Sequence, residues 1–368
     1  MRQLEKYTVS CYNPGIMRIL WIGYGQAGGK IANTLMGMRR NQYKAIAINT
    51  EEADLAGLNK VNERILIGKY KQRGRGVGAD LELSREIAQK SLSQMMGRIE
   101  KLGEKFDPEA FWIVAGMAGG TGAGGAWVLA SELKSIYDKP VYAMGILPST
   151  TGLLPEKESL CISNTLKSVE SWSQHFDNIL LLDNPQYEMR ERTTESVEQM
   201  YQRINRDIAR KLSILLCAGE AKHPPQEVFS ASEIKVTLGT GGSFSAVGYK
   251  NETVRLKTRF WAGGINPDER RLEEIIKDSI NEKRLTFACD VSGAKAGGMV
   301  AYGRPQHLFT QAITAGKAYL EQTLKVGEIR FGDYPDKRST ELGAVTLVSG
   351  ITNFPRFDEM RKRLEEIK

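Results

Sequence analysis

The chain has 368 residues, of which 41% are hydrophobic and 26% charged, and its formal net charge at pH 7 is +7. These fractions are close to average globular usage, so extensive disorder is excluded, and the length suggests two domains. No apolar run approaches the ~20 residues that span a bilayer, and the first sixteen residues lack the apolar segment of a signal peptide.

The distribution of charge and the cysteines exclude two further classes of protein. Residues 1–225 contain 29 basic and 25 acidic residues, and residues 226–368 contain 22 and 19, without a basic block, so we expect no nucleic-acid partner. The cysteines are far apart and form no CxxC pair, which argues against a disulfide or metal framework: Cys11, Cys161, Cys217 and Cys289. This pattern favours a reducing, cytoplasmic compartment.

The first half of the chain alternates between short apolar segments and amphipathic ones, after an N-terminal arm over residues 1–16. The predicted strands of this half are 18–23, 44–49, 64–67, 110–115, 141–147 and 178–183. The predicted helices are 28–39, 81–101 and a third that ends at residue 136. Such alternation is typical of a Rossmann-type α/β domain with a parallel sheet, which we assign to residues 17–194.

A long amphipathic helix follows. Between Glu195 and Glu220 apolar residues recur at helical spacing, and His223-Pro224-Pro225 stops the helix, so the central helix is assigned to residues 195–225. Residues 226–368 then form a smaller α+β domain. Its predicted strands are 243–249, 254–260, 284–289, 297–303 and 343–351, and its predicted helices lie near 267–283, 305–324 and 356–368.

The glycines are clustered in a way that predicts a phosphate site. Thirteen of the 37 lie in three short segments, 23–29, 74–78 and 116–125. The first, Gly23-x-Gly25-x-x-Gly28-Gly29, joins a strand to a helix as a dinucleotide-binding loop does, although a plain strand-to-helix turn would look the same. By itself it would also fit an NAD(P)-dependent oxidoreductase.

The second and third segments favour a longer polyphosphate. Residues 115–125 contain six glycines within ten positions, so successive N–H groups can converge on an anion without interference from side chains. No lysine follows as in a Walker loop, so a divalent cation is expected to share the neutralisation of charge. The third turn, Arg73–Asp80, supplies three more glycines.

These loops resemble those of a known family. GGTGAGG is similar to the signature loop of the tubulin/FtsZ superfamily of GTPases, and the resemblance continues in order through GYGQAGGK, INTEEADL, GRGVGAD, GILPS, LLLDN and SEIKVTL. The particular residues of GYGQAGGK and GVGAD, and the single acidic residue of SEIKVTL, indicate the archaeal CetZ branch. The resemblance covers residues 17–353 and implies a parallel-sheet GTPase domain joined by a long central helix to an α+β domain.

The resemblance also implies roles for particular residues around GTP or GDP with Mg²⁺. Asn49, Thr50 and Glu51 would line the metal side, with Mg²⁺ held mainly through phosphates and water near Glu51. Gly78 and Ala79 would lie near the γ-phosphate. The other phosphate contacts would come from Gly25, Gln26, Ala27, Gly28, Gly29, Lys30, Gly119, Gly120, Thr121 and Gly122.

Guanine recognition is assigned by the resemblance to three side chains. Tyr201 and Asn205 are four residues apart and share one helix face, so Tyr201 would stack on the base while the amides of Asn205 and Asn184 read its edge. Alternatively Tyr201 packs in the core and Asn184 caps a turn before Pro185. The ribose contact falls to Glu156, with Glu158 as the alternative because the spacing of 148–158 departs from the family.

Catalysis is assigned to Glu233, which in this family completes the site of the next subunit. FtsZ carries two aspartates in this loop preceded by an asparagine, whereas Ser230 and Val228 stand at those other places here, so slower hydrolysis is expected. The alternative for Glu233 is a helix-start acid without a catalytic role. The three histidines (His175, His223 and His307) have no neighbouring nucleophile and predict no hydrolase site of the Ser/His kind.

Taken together, the sequence predicts a cytoskeletal GTPase that polymerises head to tail with itself and hydrolyses GTP at the subunit interface, in control of cell shape. Attachment to membranes would be through adaptor proteins. The alternatives are an FtsZ-like division GTPase, a protein that binds GTP and assembles without hydrolysis, and the NAD(P)-dependent oxidoreductase.

Overall fold

The computed structural model describes residues 17–38, 42–188, 195–216, 218, 228–240, 244–254 and 267–367. The described strands form one sheet in the order β3-β2-β1-β4-β5-β6-β7-β10-β8-β9. The parallel half comprises β1 (Ile19–Tyr24), β2 (Tyr43–Asn49), β3 (Glu63–Leu66), β4 (Ala110–Gly116), β5 (Val141–Leu147) and β6 (Asn178–Asp183). The second half comprises β7 (Phe244–Thr253), β8 (Ala296–Gly303), β9 (Ile329–Pro335) and β10 (Glu341–Ser349).

Helices cover both faces of the sheet. Those of the first half are α1 (Gly25–Met38), α2 (Glu52–Ala56), α3 (Lys69–Gln72), α4 (Leu81–Lys90), α5 (Leu92–Phe106), α6 (Thr121–Ile136), α7 (Pro155–His175), α8 (Asn184–Glu188) and α9 (Val197–Leu216). Those of the second half are α10 (Ala231–Thr240), α11 (Pro267–Ser279), α12 (Thr310–Leu324) and α13 (Pro355–Ile367). None of the helices in these described ranges has the length and apolar character that crossing a membrane requires.

The strand order of the first half determines where a ligand can bind. Strands β1 and β4 are neighbours in the middle of the parallel sheet, and the chain turns outward in opposite directions from them. This is the switch point at which open α/β sheets bind ligands, beyond the carboxyl ends of the strands. The two largest glycine clusters follow β1 and β4, so both lie at this edge.

The core lies on both faces of the sheet because the strands alternate between them. In β1, Ile19 and Trp21 face one cluster, while Leu20, Ile22 and Tyr24 face the other, and all five are fully buried. Strands buried on both faces explain the continuous apolar runs in the sequence. The predicted α/β class is therefore confirmed.

The sheet continues from the first half into the second. Strand β6 pairs with β7 in parallel through Ile179 with Phe244 and Leu180 with Ser245, while β7 and β10, and β10 and β8, pair antiparallel. The mixture of strand directions agrees with an α+β second half. The boundaries assigned at residues 16, 194 and 225 stay predictions.

Several elements differ from the sequence-based expectation. The helix predicted over 81–101 is two helices, because Ser91 leaves helical geometry (φ −102°, ψ 4°) between α4 and α5. The strand predicted over 284–289 is wrong. Asn281 caps a short 3₁₀ turn at Glu282–Arg284, and Leu285 then forms only an isolated bridge with Gly248.

Other expectations differ in extent or lie beyond the description. The sequence did not predict α7 or β9. The central helix is confirmed over Val197–Leu216, and the last helix over Pro355–Ile367. The N-terminal arm, His223, Cys11 and Cys217 lie outside the described residues, as does most of the strand predicted over 254–260.

Candidate functional site

The first two glycine loops touch each other at the switch point. Gly25 has a φ of +75°, and a Cβ atom there would lie 3.2 Å from the backbone nitrogen of Gly122. At Gly122 itself a Cβ would lie 2.8 Å from the Cβ of Ala115 and 2.9 Å from the carbonyl oxygen of Tyr24. The close approach of the two loops therefore requires glycine at both positions.

Two helices begin where these loops meet. Residues 25–30 form the start of α1, where Gln26 and Lys30 are exposed and Ala27 is half-buried. Gly28 and Gly29 are buried, and a Cβ at Gly28 would lie 1.8 Å from the carbonyl oxygen of Val114, so α1 lies directly against β4.

Both helix starts suit an anion. The first turns of α1 and α6 contain no acidic residue, and Gly120 caps α6 without offering a side chain to its N–H groups. Helix N-termini carry a partial positive charge and N–H groups that lack an intrahelical acceptor, so two of them at one edge form an anion site.

The third glycine loop closes over the second. A Cβ at Gly120 would lie 2.4 Å from Cγ2 of Val77 and 3.0 Å from Cα of Ala79. Gly78 and Ala79 both have left-handed backbone conformations, with φ of +59° and +65°. Ala79 adopts this conformation although it is not glycine, and such strain is concentrated at ligand sites.

A side chain that the sequence did not single out ties these two loops together. Asn164 of α7 is 4% exposed, and its amide nitrogen donates to the carbonyl oxygens of Ala79 (2.8 Å) and Ala118 (3.1 Å). Asn164 therefore holds loop 76–80 in register with loop 116–120.

Asp54, another residue that the sequence did not single out, orders the side of the site where the metal is predicted. Its carboxylate accepts from the amide nitrogens of Gln26 (2.7 Å) and Asn49 (3.0 Å). The Asn49 oxygen in turn accepts from the backbone N–H groups of Thr50 (2.8 Å) and Glu51 (3.1 Å). Asp54 thus joins the first glycine loop to the turn after β2.

The same turn contacts the other two loops and offers oxygen atoms to a cation. The hydroxyl groups of Thr50 and Thr121 lie 2.7 Å apart, and the Thr50 carbonyl accepts from Gly76 N–H (3.2 Å). Glu51 is half-buried, and a Cβ at Gly76 would lie 3.3 Å from its Oε2. Hydroxyl and carboxylate oxygens fit Mg²⁺. No group of three His, Cys, Asp or Glu within the described ranges forms a metal cage.

The predicted guanine side lies on the central helix. Helix α9 packs against α1, which places Tyr201 and Asn205 on the helix beside the first glycine loop. Tyr201 is 36% exposed and Asn205 is half-buried, whereas the core stripe of α9 consists of Ile204, Ile208 and Leu212. The core-packing alternative for Tyr201 is therefore wrong.

The residue predicted to read the base edge from the sheet is Asn184. It directly follows β6, is half-buried, and begins α8 rather than a loose turn. This puts Asn184 at the same carboxyl edge as the phosphate loops.

The two candidates for the ribose contact differ in their surroundings. Both lie in the first turn of α7, where Glu156 is exposed. Glu158 is 9% exposed and forms a two-point ion pair with Arg363, with Nε–Oε1 at 3.0 Å and Nη2–Oε2 at 2.9 Å. The Arg363 guanidinium holds the pKa of Glu158 below its usual range. Glu158 is therefore engaged by Arg363 whereas Glu156 is exposed, and the ribose contact of Glu156 stays a prediction.

Glu233 is not brought together with the other site residues. Two residues of the same helix contact the amino ends of β4 and β6. Lys235 pairs with Glu109, which precedes β4, at 3.6 Å, and the Leu238 carbonyl accepts from Nδ2 of Asn178, the first residue of β6, at 3.0 Å. The phosphate loops follow the opposite ends of the strands. Seven residues of β4 span roughly 23 Å, so Glu233 cannot reach the phosphate loops of its own chain.

The described histidines stand apart from this site. His175 lies in the last turn of α7, where a ring nitrogen is 2.6 Å from the Ser171 carbonyl oxygen, and His307 ends a short 3₁₀ turn. Both are half-buried.

Comparisons with known proteins agree with this geometry. The family model of the tubulin/FtsZ GTPase domain matches residues 18–188, and that of the tubulin-like CetZ C-terminal domain matches residues 194–366. The tubulin-like protein CetZ1 of Haloferax volcanii is 35% identical over 94% of this chain and 91% of its own. CetZ of Pyrococcus furiosus is 32% identical over 94% of this chain and 88% of its own.

Solved structures show the same fold. The GDP-bound monomer of CetZ1 from Haloferax volcanii has a TM-score of 0.80 and 34% identity, covering 95% of this chain and 99% of its own. The GTPγS-bound protofilament of CetZ2 from the same organism has a TM-score of 0.83 and 29% identity, with coverage of 95% and 98%. An FtsZ dimer from M. jannaschii matches at a TM-score of 0.70 and 20% identity, covering 91% of this chain and 88% of its own.

Proposed function

The chain belongs to the tubulin/FtsZ family of GTPases and to its CetZ branch, and we propose on this basis that it forms head-to-tail filaments that hydrolyse GTP between subunits. The site of one subunit would comprise the three glycine loops and the guanine-contacting face of α9. The next subunit would supply Glu233.

One observation carries this proposal: the phosphate loops and Glu233 lie at opposite ends of the same strands. A site that needs both is completed only when the end of one copy meets the other end of the next. Such a heterologous contact leaves a free surface at each end and generates an open filament. The proposal is supported by a relative that is 29% identical, CetZ2 from Haloferax volcanii, whose structure is that of a GTPγS-bound protofilament.

Within one subunit, the described residues would bind and orient GTP. Backbone N–H groups at the starts of α1 and α6 would hold the phosphates, with Gly78 and Ala79 beside the γ-phosphate. Tyr201 would stack on guanine, and the amides of Asn184 and Asn205 would read its edge. Bound Mg²⁺, on the side of Thr50 and Glu51, would neutralise phosphate charge during transfer of the phosphoryl group.

Glu233 would orient the attacking water by accepting its hydrogen bond. The carboxylate is held in place before a second subunit arrives, because its Oε2 accepts from the backbone N–H of Ser230 at 2.7 Å. A single carboxylate without the second acid of FtsZ would give slow turnover. Filaments would then persist after assembly, which suits a role in cell shape more than one in division.

The wider assignments of the sequence remain part of this proposal: a cytoplasmic location, adaptor-mediated membrane association, self-association and no nucleic-acid partner. The oxidoreductase alternative rests on the loop at 23–29 alone. It does not explain the other two glycine loops, which converge on the same site. Fluorescence titration with GTP and NADH separates the two: we expect saturable GTP binding and none for NADH.

Assembly is tested by light scattering and electron microscopy in GTP, GDP and GTPγS. We expect filaments in GTP that disassemble as phosphate is released, and longer-lived filaments in GTPγS. GTP binding without filaments in any nucleotide would contradict the proposal. Filaments without phosphate release would support the alternative of a non-hydrolysing member.

A further inference from the structure

The last helix, α13, is anchored by its apolar face. Phe357 and Met360 are each 2% exposed, and the Phe357 ring packs 5.5 Å from that of Phe287 and 5.4 Å from that of Phe354. The helix also packs against α7. Because this packing fixes α13, side chains that flank this apolar face can hold neighbouring segments in defined positions.

One of these side chains is Arg363. Its guanidinium donates a hydrogen bond to each carboxylate oxygen of Glu158, at 3.0 and 2.9 Å, and Glu158 is nearly buried. Paired contacts of this kind fix orientation as well as distance. Glu158 lies in the first turn of α7, two residues after Glu156, the proposed ribose contact.

A second side chain of α13 reaches the other half of the nucleoside site. Arg356 Nε lies 3.8 Å from Oδ2 of Asp183, whose side chain is 7% exposed. Asp183 is the last residue of β6, and the next residue is Asn184, the proposed reader of the guanine edge. Arg363 therefore holds the neighbour of one proposed nucleotide contact by two hydrogen bonds. Arg356 pairs with the neighbour of another through charge, because its Nε makes no hydrogen bond within the described part of the chain.

We propose that α13 is a latch that positions the nucleoside-binding segments, with Arg363 as the positioning residue for the ribose contact and Arg356 as that for the base contact. This inference rests on the proposed function of the site. Neither arginine is held to touch the nucleotide. The phosphates are instead held by the glycine loops, so loosening the latch weakens recognition of sugar and base without altering hydrolysis of bound GTP.

Another charge pair of α13 offers a matched control. Arg361 pairs with Asp358 of the same helix at 2.7 Å, and both side chains are more than half exposed. Arg361→Ala removes an ion pair of α13 that contacts neither α7 nor β6.

The test measures binding of four nucleotides to the full chain: GDP, its 2′-deoxy and 3′-deoxy analogues, and inosine diphosphate, which lacks the exocyclic amino group of guanine. For Arg363→Ala we expect about three- to tenfold weaker GDP binding and less discrimination against a deoxy sugar, with the preference for guanine retained. For Arg356→Ala we expect the reverse: a smaller preference for guanine and unchanged discrimination between sugars. Arg361→Ala should match the wild type.

Two further variants separate positioning from folding. Glu158→Gln breaks the same ion pair while leaving α13 whole, so it should reproduce Arg363→Ala, and the double variant should add little. Arg363→Lys keeps the charge and should recover part of the affinity. The latch proposal is wrong if Arg363→Ala or Glu158→Gln binds all four nucleotides with wild-type affinity. It is also wrong if both variants lose affinity for all four nucleotides by the same factor. If the wild type binds no guanine nucleotide, the proposed function fails instead.

Discussion

The Glu233 carboxylate and the backbone of Ser230 cap the first turn of α10 reciprocally. Ser230 N–H donates to Glu233 Oε2 at 2.7 Å, and Glu233 N–H donates to the Ser230 hydroxyl at 3.4 Å. This is a capping box, in which glutamine can replace glutamate. The helix-start interpretation of Glu233 and its proposed catalytic role are therefore compatible, because the cap holds the carboxylate in place at the end of the subunit.

The capping box allows the catalytic role of Glu233 to be separated from its structural role. Glu233→Gln keeps the reciprocal hydrogen bonds but removes the negative charge, so we expect thermal stability close to wild type and at least about tenfold slower phosphate release. Glu233→Ala should lose turnover and also about 1 kcal/mol of stability. Wild-type turnover in Glu233→Gln, measured in filaments, would rule out the carboxylate as the catalytic group.

The contact between the glycine loops predicts that alanine substitutions at two positions three residues apart differ strongly in their effect on stability. Gly122→Ala would place a methyl group 2.8 Å from the Cβ of Ala115, so we expect a loss of about 1–3 kcal/mol of stability and of GTP binding. Gly119→Ala meets no described atom within 4 Å and should leave the unfolding midpoint unchanged. Urea unfolding and GTP titration of both variants check this. Equal midpoints would show that the loops do not approach so closely.

Asp54 is predicted to position Gln26 and Asn49 for the phosphate side of the site. Asp54→Asn can no longer accept both amide hydrogen bonds, so we expect about three- to tenfold weaker GTP binding with little change in unfolding. Asp138→Asn is the control, since Asp138 is exposed near the opposite edge of the sheet. Affinity equal to wild type in Asp54→Asn, by isothermal titration calorimetry, would remove Asp54 from the site.

The Glu158–Arg363 ion pair predicts how stability depends on pH. Arg363 lowers the pKa of Glu158 below its unfolded value near 4.5, so the pair stabilises the folded chain above that pH and the stabilisation is lost as pH falls through the lower folded pKa. We expect wild type to exceed Glu158→Gln in urea midpoint at pH 7 and the two to converge towards pH 3. A constant difference across this range would show that Glu158 does not titrate in the folded chain as described.

The sequence predicted the parts of the site that depend on local pattern. Glycine spacing after an apolar segment identified the loops at residues 23–29 and 116–125, because backbone approach to an anion requires glycine there. Asn164 and Asp54 were missed because their roles arise from contacts across the fold: Asn164 reaches a carbonyl 85 positions away, and nothing in its local sequence marks it.

The ambiguities of the sequence have the same origin. Glu156 and Glu158 are equivalent by pattern, and only the arginine 205 positions after Glu158 distinguishes them. Conversely, the apolar run at 284–289 predicts a strand, but the structure has none there. Thr286 instead bridges β6 and β7: its hydroxyl accepts from Val247 N–H, and its carbonyl oxygen accepts from Asp183 N–H. Local propensity cannot anticipate such tertiary contacts.

The central claim is that each active site needs residues of two chains, and a complementation assay tests it most directly. One variant, Glu233→Ala, keeps an intact nucleotide pocket; the other, with Tyr201→Ala and Asn205→Ala, keeps Glu233 but cannot hold guanine. Each alone should release little phosphate, and an equal mixture should regain turnover at about a quarter of its interfaces, where an intact pocket meets an intact Glu233. If the mixture, with co-assembly confirmed by sedimentation, stays as inactive as the separate variants, the two-chain site is contradicted.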